Sequence, residues 1–291
     1  MKRTILVLTL FLFACSQEIP LTALPFVPPT ALPEVTLPPT EAPVVDGTPA
    51  SESFPPASTL PAGPVTLVAI GDSLTAGDGD DSGRGYTGRL LEMMDLFRSD
   101  TQITNLAKSG WSSDALINGD QGFTGQLPRA VSELEAAISQ GRGAVALVWI
   151  GSNDLWYLYE YGGEGSDEND ALDAQRFSAN MDTVLSQLRG TGAQVIIALL
   201  DDQTKRPIAI KGEAFVSITP DELNRMSAQV VRYNEIITAK AEQYGALTVD
   251  FYSTDIFTNP ATLYDDGNHP NPAGYDVIAQ KWLEVLQGIL N

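Results

Sequence analysis

Four stretches, Val65–Ile70, Val145–Ile150, Val195–Leu200 and Leu247–Phe251, are nearly unbroken apolar runs rich in β-branched residues. A strand with one face in water alternates polar and apolar residues, whereas a continuous run buries both faces, as strands of a parallel sheet covered by helices do. Gln102–Leu106 reads as a weaker fifth strand. Between the runs, apolar residues recur at helical spacing over Tyr86–Phe97, Leu127–Ser139, Ala171–Leu188, Pro220–Tyr244 and Ala273–Ile289. This alternation predicts an α/β domain over residues 65–291, with a central parallel sheet of about five strands and helices on both faces. In such open sheets, sites form beyond the carboxyl ends of the strands, so chemistry is sought in the segments that follow each run.

The region ahead of the domain has a different character. Lys2 and Arg3 precede an apolar run from Ile5 to Phe13 that ends at Ala14-Cys15. That is the layout of an export signal over residues 1–15, too short to span a bilayer comfortably. Leu12-Phe13-Ala14-Cys15 resembles a bacterial lipobox, with Phe13 where a small or aliphatic residue is usual. The resemblance implies lipidation of Cys15 and an exported protein held on the outer face of a bacterial membrane. The alternative is an ordinary secretory signal. Residues 16–64 are rich in Pro, Thr, Ala and Ser, with five charges, all acidic. Such a segment cannot bury enough surface to offset its ordering entropy and reads as a disordered linker, on the order of 150 Å when fully extended.

Charge and composition exclude several functions. With 37 acidic against 17 basic residues, a formal net charge of −20 disfavours nucleic acid and direct binding to an anionic membrane surface. Membrane contact is therefore expected only through a lipid on Cys15. A single histidine and a single cysteine give little support to a zinc or other transition-metal site, and no cofactor is expected. Asp78-Gly-Asp-Asp-Ser-Gly83 begins like a calcium loop, but Arg89 stands where the bidentate glutamate is required, so an acidic solvated loop is the better reading.

Four strand ends carry residues suited to acyl chemistry. Gly71-Asp72-Ser73-Leu74 follows the first run and leaves a hydroxyl at a tight turn beside backbone N–H groups; helix capping would use the same residues. Gly110 follows the weak second strand and permits close backbone approach to a ligand, or simply a turn. Gly151-Ser-Asn153-Asp154 follows the next run; the amide of Asn153 can donate to an oxyanion, while Asn153 or Asp154 could equally cap a helix. After the last run, Asp265 and Asp266 precede His269, the only histidine and hence the natural proton carrier near neutral pH.

In this order the four blocks resemble the SGNH family, also called GDSL esterases and lipases, over almost all of residues 65–291. The resemblance implies a flavodoxin-like three-layer α/β/α sandwich and a serine hydrolase acting on ester bonds (EC 3.1 class). It assigns Ser73 as nucleophile, Asp266 and His269 as its triad partners, and Ser73, Gly110 and Asn153 as the oxyanion hole. The Asp-x-x-His spacing of the family selects Asp266 over Asp265. Asp72 is expected to bond turn amides, and Asp201 and Asp202 to sit in a solvated loop. Two long insertions, Leu155–Asp170 with Trp156, Tyr157, Tyr159 and Tyr161, and Asp201–Thr219 with Ile208–Ile210 and Phe215, are expected to shape specificity, while any one of their aromatics could instead pack under a long loop. Small-molecule esters, lipids, thioesters and acetylated glycans all remain candidate substrates. So does a silent surface lipoprotein that binds through its aromatic loops, and the oligomeric state is left open.

Overall fold

The computed structural model describes residues 54–161, 165–212 and 218–290. The expected export signal with Cys15, most of the expected linker, and Phe215 lie outside them. Within them, five strands form one sheet: β1 (Val65–Gly71), β2 (Gln102–Asn105), β3 (Gly143–Trp149), β4 (Gln194–Leu199) and β5 (Leu247–Asp250). All pairings are parallel and the order is β2-β1-β3-β4-β5, the flavodoxin-like doubly wound arrangement. Every residue of β1 and β3 is buried, which is why those runs carry no polar alternation.

The helices are α1 (Ser73–Ala76), α2 (Gly85–Met94), α3 (Ser113–Asn118), α4 (Gln126–Ser139), α5 (Ser152–Tyr161), α6 (Asp167–Gly190), α7 (Pro207–Lys211), α8 (Pro220–Tyr244) and α9 (Pro272–Gln287). Helices α2 and α9 pack together on one face; α4, α6 and α8 cover the other. The stop signals are local. Thr219 and Glu222 form a reciprocal capping box at the start of α8, and Gly245 ends it in the left-handed region. Under α2 and α9 lies an aromatic cluster in which Trp149 stacks on Phe251 at 4.2 Å and Tyr86 on Trp282 at 5.4 Å.

Two expectations change. Most of the expected insertion Leu155–Asp170 is helical: α5 runs to Tyr161 and α6 begins at Asp167. Trp156 and Tyr159 face the core, while Tyr157 and Tyr161 are exposed. Residues 54–64, expected as the end of the linker, lie against the domain instead. Leu60 is buried and donates its N–H to the Ile289 carbonyl at 2.7 Å, and the Pro55 carbonyl accepts from Arg189 at 2.9 Å. Their proline content is compatible with extended chain; what orders them is a groove that supplies apolar and hydrogen-bonding partners.

Candidate active site

The strand order reverses between β1 and β3, and a crevice opens there at the carboxyl ends of the strands. Ser73 begins α1 directly after β1. Its N-cap is Asp72, whose Oδ1 accepts from the Leu74 N–H at 3.0 Å. The strand end is held from the opposite layer. Gln126, at the start of α4, accepts from the Gly71 N–H and donates to the Gly71 carbonyl, both at 2.8 Å. The Asp72 carboxyl is fully buried, and its Oδ2 has no hydrogen-bond partner among the described residues. Burial pushes its pKa up to about 7, against the pull of the Leu74 N–H and the charge of Arg206.

His269 reaches Ser73 from the loop between β5 and α9. Its Nε2 lies 3.0 Å from Ser73 Oγ and its Nδ1 lies 2.6 Å from Asp266 Oδ2. The other Asp266 oxygen accepts the backbone N–H groups of Asn268 and His269 at 2.8 and 2.9 Å. Although burial pushes upward, these bonds hold the Asp266 carboxyl below the usual carboxylate range. An ionised carboxylate only accepts, so Nδ1 carries the ring proton and Nε2 is left to accept from the Ser73 hydroxyl.

Gly110 lies in the turn after β2, and Asn153, in the first turn of α5, reaches the Trp111 carbonyl of that same turn. Gly110 has φ +80°, in the left-handed region that favours glycine, and the Tyr157 hydroxyl donates to its carbonyl at 2.7 Å. Asn153 donates through Nδ2 to the Trp111 carbonyl at 3.0 Å, which leaves its second amide hydrogen free of that bond. Among the described residues, no hydrogen bond caps α5 through the Asn153 or Asp154 side chain. Asp154 instead accepts the Ser113 N–H at 2.8 Å and the Ser113 hydroxyl at 2.5 Å, tying the first turn of α5 to α3. Beside Gly110 opens a cleft of about 910 Å³, lined among others by Lys108, Asp114, Phe123, Tyr157 and Tyr161.

Asp201 is not solvated. It is buried and binds the equally buried Arg206 through two bonds of 2.7 and 2.8 Å. Asp202, also buried, accepts from the Thr204 and Ser227 hydroxyls, each at 2.7 Å. Arg206 continues to Asn268 Oδ1 at 2.8 Å and lies over the Phe257 ring. Gln126, Arg206 and Asn268 were invisible as site residues in the sequence; of the three only Asn268, inside the Asp-x-x-His block, carried any positional hint. The Asp80 carboxylate of the calcium-like loop binds the Ser82 N–H and hydroxyl, the Gly85 N–H and the Arg89 guanidinium. Burial raises its pKa, but these bonds outweigh it and hold it at about 2.

Comparison with known proteins agrees with this fold. The chain is 23% identical over 256 residues to a multidomain esterase of Ruminococcus flavefaciens, a match covering 79% of this chain but only 29% of that longer protein. It is 23% identical over 235 residues to the uncharacterized protein YpmR of Bacillus subtilis (strain 168), covering 77% of this chain and 82% of that one. Among solved structures, the lipase Lip_vut3 from a goat rumen metagenome superposes with a TM-score of 0.55 at 20% identity, covering 78% and 99% of the two chains. The lipase/acylhydrolase of Enterococcus faecalis gives 0.51 at 15% identity, covering 78% and 97%. At these identities the structures establish the shared fold. The family described as GDSL-like Lipase/Acylhydrolase matches residues 69–277, from within β1 to within α9. The chain therefore belongs to the GDSL-like lipase/acylhydrolase family.

Proposed function

We propose that this protein hydrolyses carboxylic esters through an acyl-enzyme formed on Ser73. The observation that carries the reading is the in-line contact series from Asp266 to His269 at 2.6 Å and from His269 to Ser73 at 3.0 Å. In this mechanism Ser73 Oγ attacks the ester carbonyl while its proton passes to His269 Nε2. Asp266 stabilises the imidazolium, and the proton then moves to the departing alkoxide. Water repeats the sequence in reverse roles and frees the acid. The Ser73 and Gly110 N–H groups and the free amide hydrogen of Asn153 would hold the oxyanion.

A narrower reading, hydrolysis of acetyl groups on carbohydrate, draws support from the cleft beside Gly110. Exposed rings of Phe123, Tyr157 and Tyr161 share it with Asp114, Asn118 and Asp120. A long acyl chain would favour an apolar lining, whereas a sugar uses ring faces together with hydrogen-bonding groups. A solved variant of the acetyl xylan esterase of Geobacillus stearothermophilus has the same fold, with a TM-score of 0.50 at 19% identity over 81% of this chain and 98% of that one.

Turnover of p-nitrophenyl esters of graded acyl length, with Ser73→Ala as control, tests the reaction. Activity confined to the wild type, with Ser73 labelled by a fluorophosphonate, is the expected result. Absence of both turnover and labelling would leave a binding protein. Acetate release from acetylated polysaccharide, with little activity beyond short acyl chains, would select the narrower reading.

A further inference from the structure

His269 Nε2 has a second and longer contact besides Ser73. Asn268 Nδ2 lies 3.4 Å from His269 Nε2, on the same ring nitrogen that faces Ser73. Which end of an amide points where is decided by its partners. Arg206 is a pure donor, and its Nη1 lies 2.8 Å from Asn268 Oδ1, so the oxygen must face the guanidinium and the NH₂ must face the ring. Arg206 is itself immobilised. It is 2% exposed, its Nε and Nη2 are taken by Asp201 at 2.8 and 2.7 Å, and its guanidinium rests 4.5 Å from the Phe257 ring centre.

We infer that Arg206 and Asn268 are positioning residues that set the tautomer of His269: by presenting N–H rather than oxygen to Nε2, they keep that nitrogen unprotonated and ready to take the Ser73 proton. Asp266 acts on Nδ1 from one side and the Arg206–Asn268 pair acts on Nε2 from the other. Once Nε2 has been protonated, the same amide hydrogens face an N–H, which favours passing the proton on to the leaving group. Other charged groups near the ring are Asp266 on its own loop, the Asp201–Arg206 pair after β4, Asp72 beneath Ser73, and Asp78, beside the Gly79 turn that packs on the His269 Cβ. None of these carboxylates presents a donor to Nε2. The inference rests on the proposed hydrolytic role of Ser73, but its primary test does not.

Because the full chain has one histidine, its ring nitrogens can be followed by ¹⁵N NMR without assignment. In the neutral ring of the wild type, Nδ1 is expected as the N–H nitrogen and Nε2 as the bare one. Asn268→Asp replaces the donor at Nε2 by an acceptor, so the Nε2–H form should appear. Arg206→Lys keeps a charge opposite Asp201 but cannot fork to both partners. The freed amide should give mixed tautomers, with kcat lowered by about tenfold or more at nearly constant KM. If Asn268→Asp does not fold, Asn268→Leu removes the same donor and should shift the same signals. Wild-type ring signals in folded Asn268 and Arg206 variants would overturn the inference, even if activity fell. Shifted ring signals in an enzyme with no ester turnover would uphold the tautomer control and reject the hydrolase reading instead.

Discussion

At the scale of the residue, Asp72 is the most exacting group in the site. Burial pushes its pKa up to about 7 in the folded protein, above the ordinary carboxylate value of 3.8, so between those values the folded protein binds a proton that the unfolded chain releases. Stability from this group is therefore present at acid pH and is lost as pH rises towards about 7, by at most about 4 kcal/mol for a shift of that size. Asn at this position preserves the acceptor for Leu74 without the titration. Asp72→Asn should raise the thermal midpoint at pH 8 and leave it nearly unchanged at pH 4, measured by calorimetry. Asn153 offers a second test, since it holds the Trp111 carbonyl with one amide hydrogen and keeps the other. Asn153→Ala should lower kcat by about a hundredfold or more through loss of an oxyanion donor. Near-normal turnover would remove it from that role. Ser73, Asp266 and His269 could be chosen in the sequence because each sits in a short motif. Arg206 and Asn268 could not, because their link spans the loop from β4 to the loop before α9 and leaves no local pattern.

At the scale of the element, strands β1 and β3 were legible because burial on both faces writes itself as an unbroken apolar run. Helix α5 was not. Its first turn comes straight from β3 with the polar Ser152-Asn153-Asp154, and Trp, Tyr and Leu then crowd all sides of it, so no clean apolar stripe separates it from a loop. Helix α3 has six residues, less than two turns, and offers no period to detect. The coupling between layers is equally silent in sequence. Gln126 at the head of α4 closes both backbone bonds of Gly71, so that α4 fixes the strand end from which Ser73 emerges. Gln126→Leu strands the buried Gly71 N–H and removes one of two donors to the Gly71 carbonyl, which keeps the Lys108 N–H at 3.2 Å. It should cost about 1–3 kcal/mol in urea unfolding and lower kcat more than it raises KM.

For the whole molecule, the folded unit starts before the first strand. A chain beginning at Val65 gives up the buried Leu60, the Phe54 contact with Tyr244, and the Pro55 carbonyl that caps Arg189. Against a chain beginning at Phe54, it should lose about 2–4 kcal/mol by denaturant titration. An equal midpoint would return residues 54–64 to the linker. Lipidation of Cys15 remains part of the proposal for the full chain: Cys15→Ser should abolish metabolic labelling by palmitate and release the protein from the membrane fraction. The segment that packs before β1 also sets a direction. Leu60 pairs with Ile289 beyond the end of α9, and Pro64 pairs with Gly143 at the start of β3, so the chain enters at the rim of the sheet opposite the strand ends that carry Ser73, Asn153 and His269. Whatever is joined ahead of Phe54 holds the domain by its back. A bead or a fused protein attached there should leave the strand ends with Ser73 and His269 open to bulky, even polymeric, substrates, whereas the same attachment at Phe123 would obstruct the cleft beside Gly110.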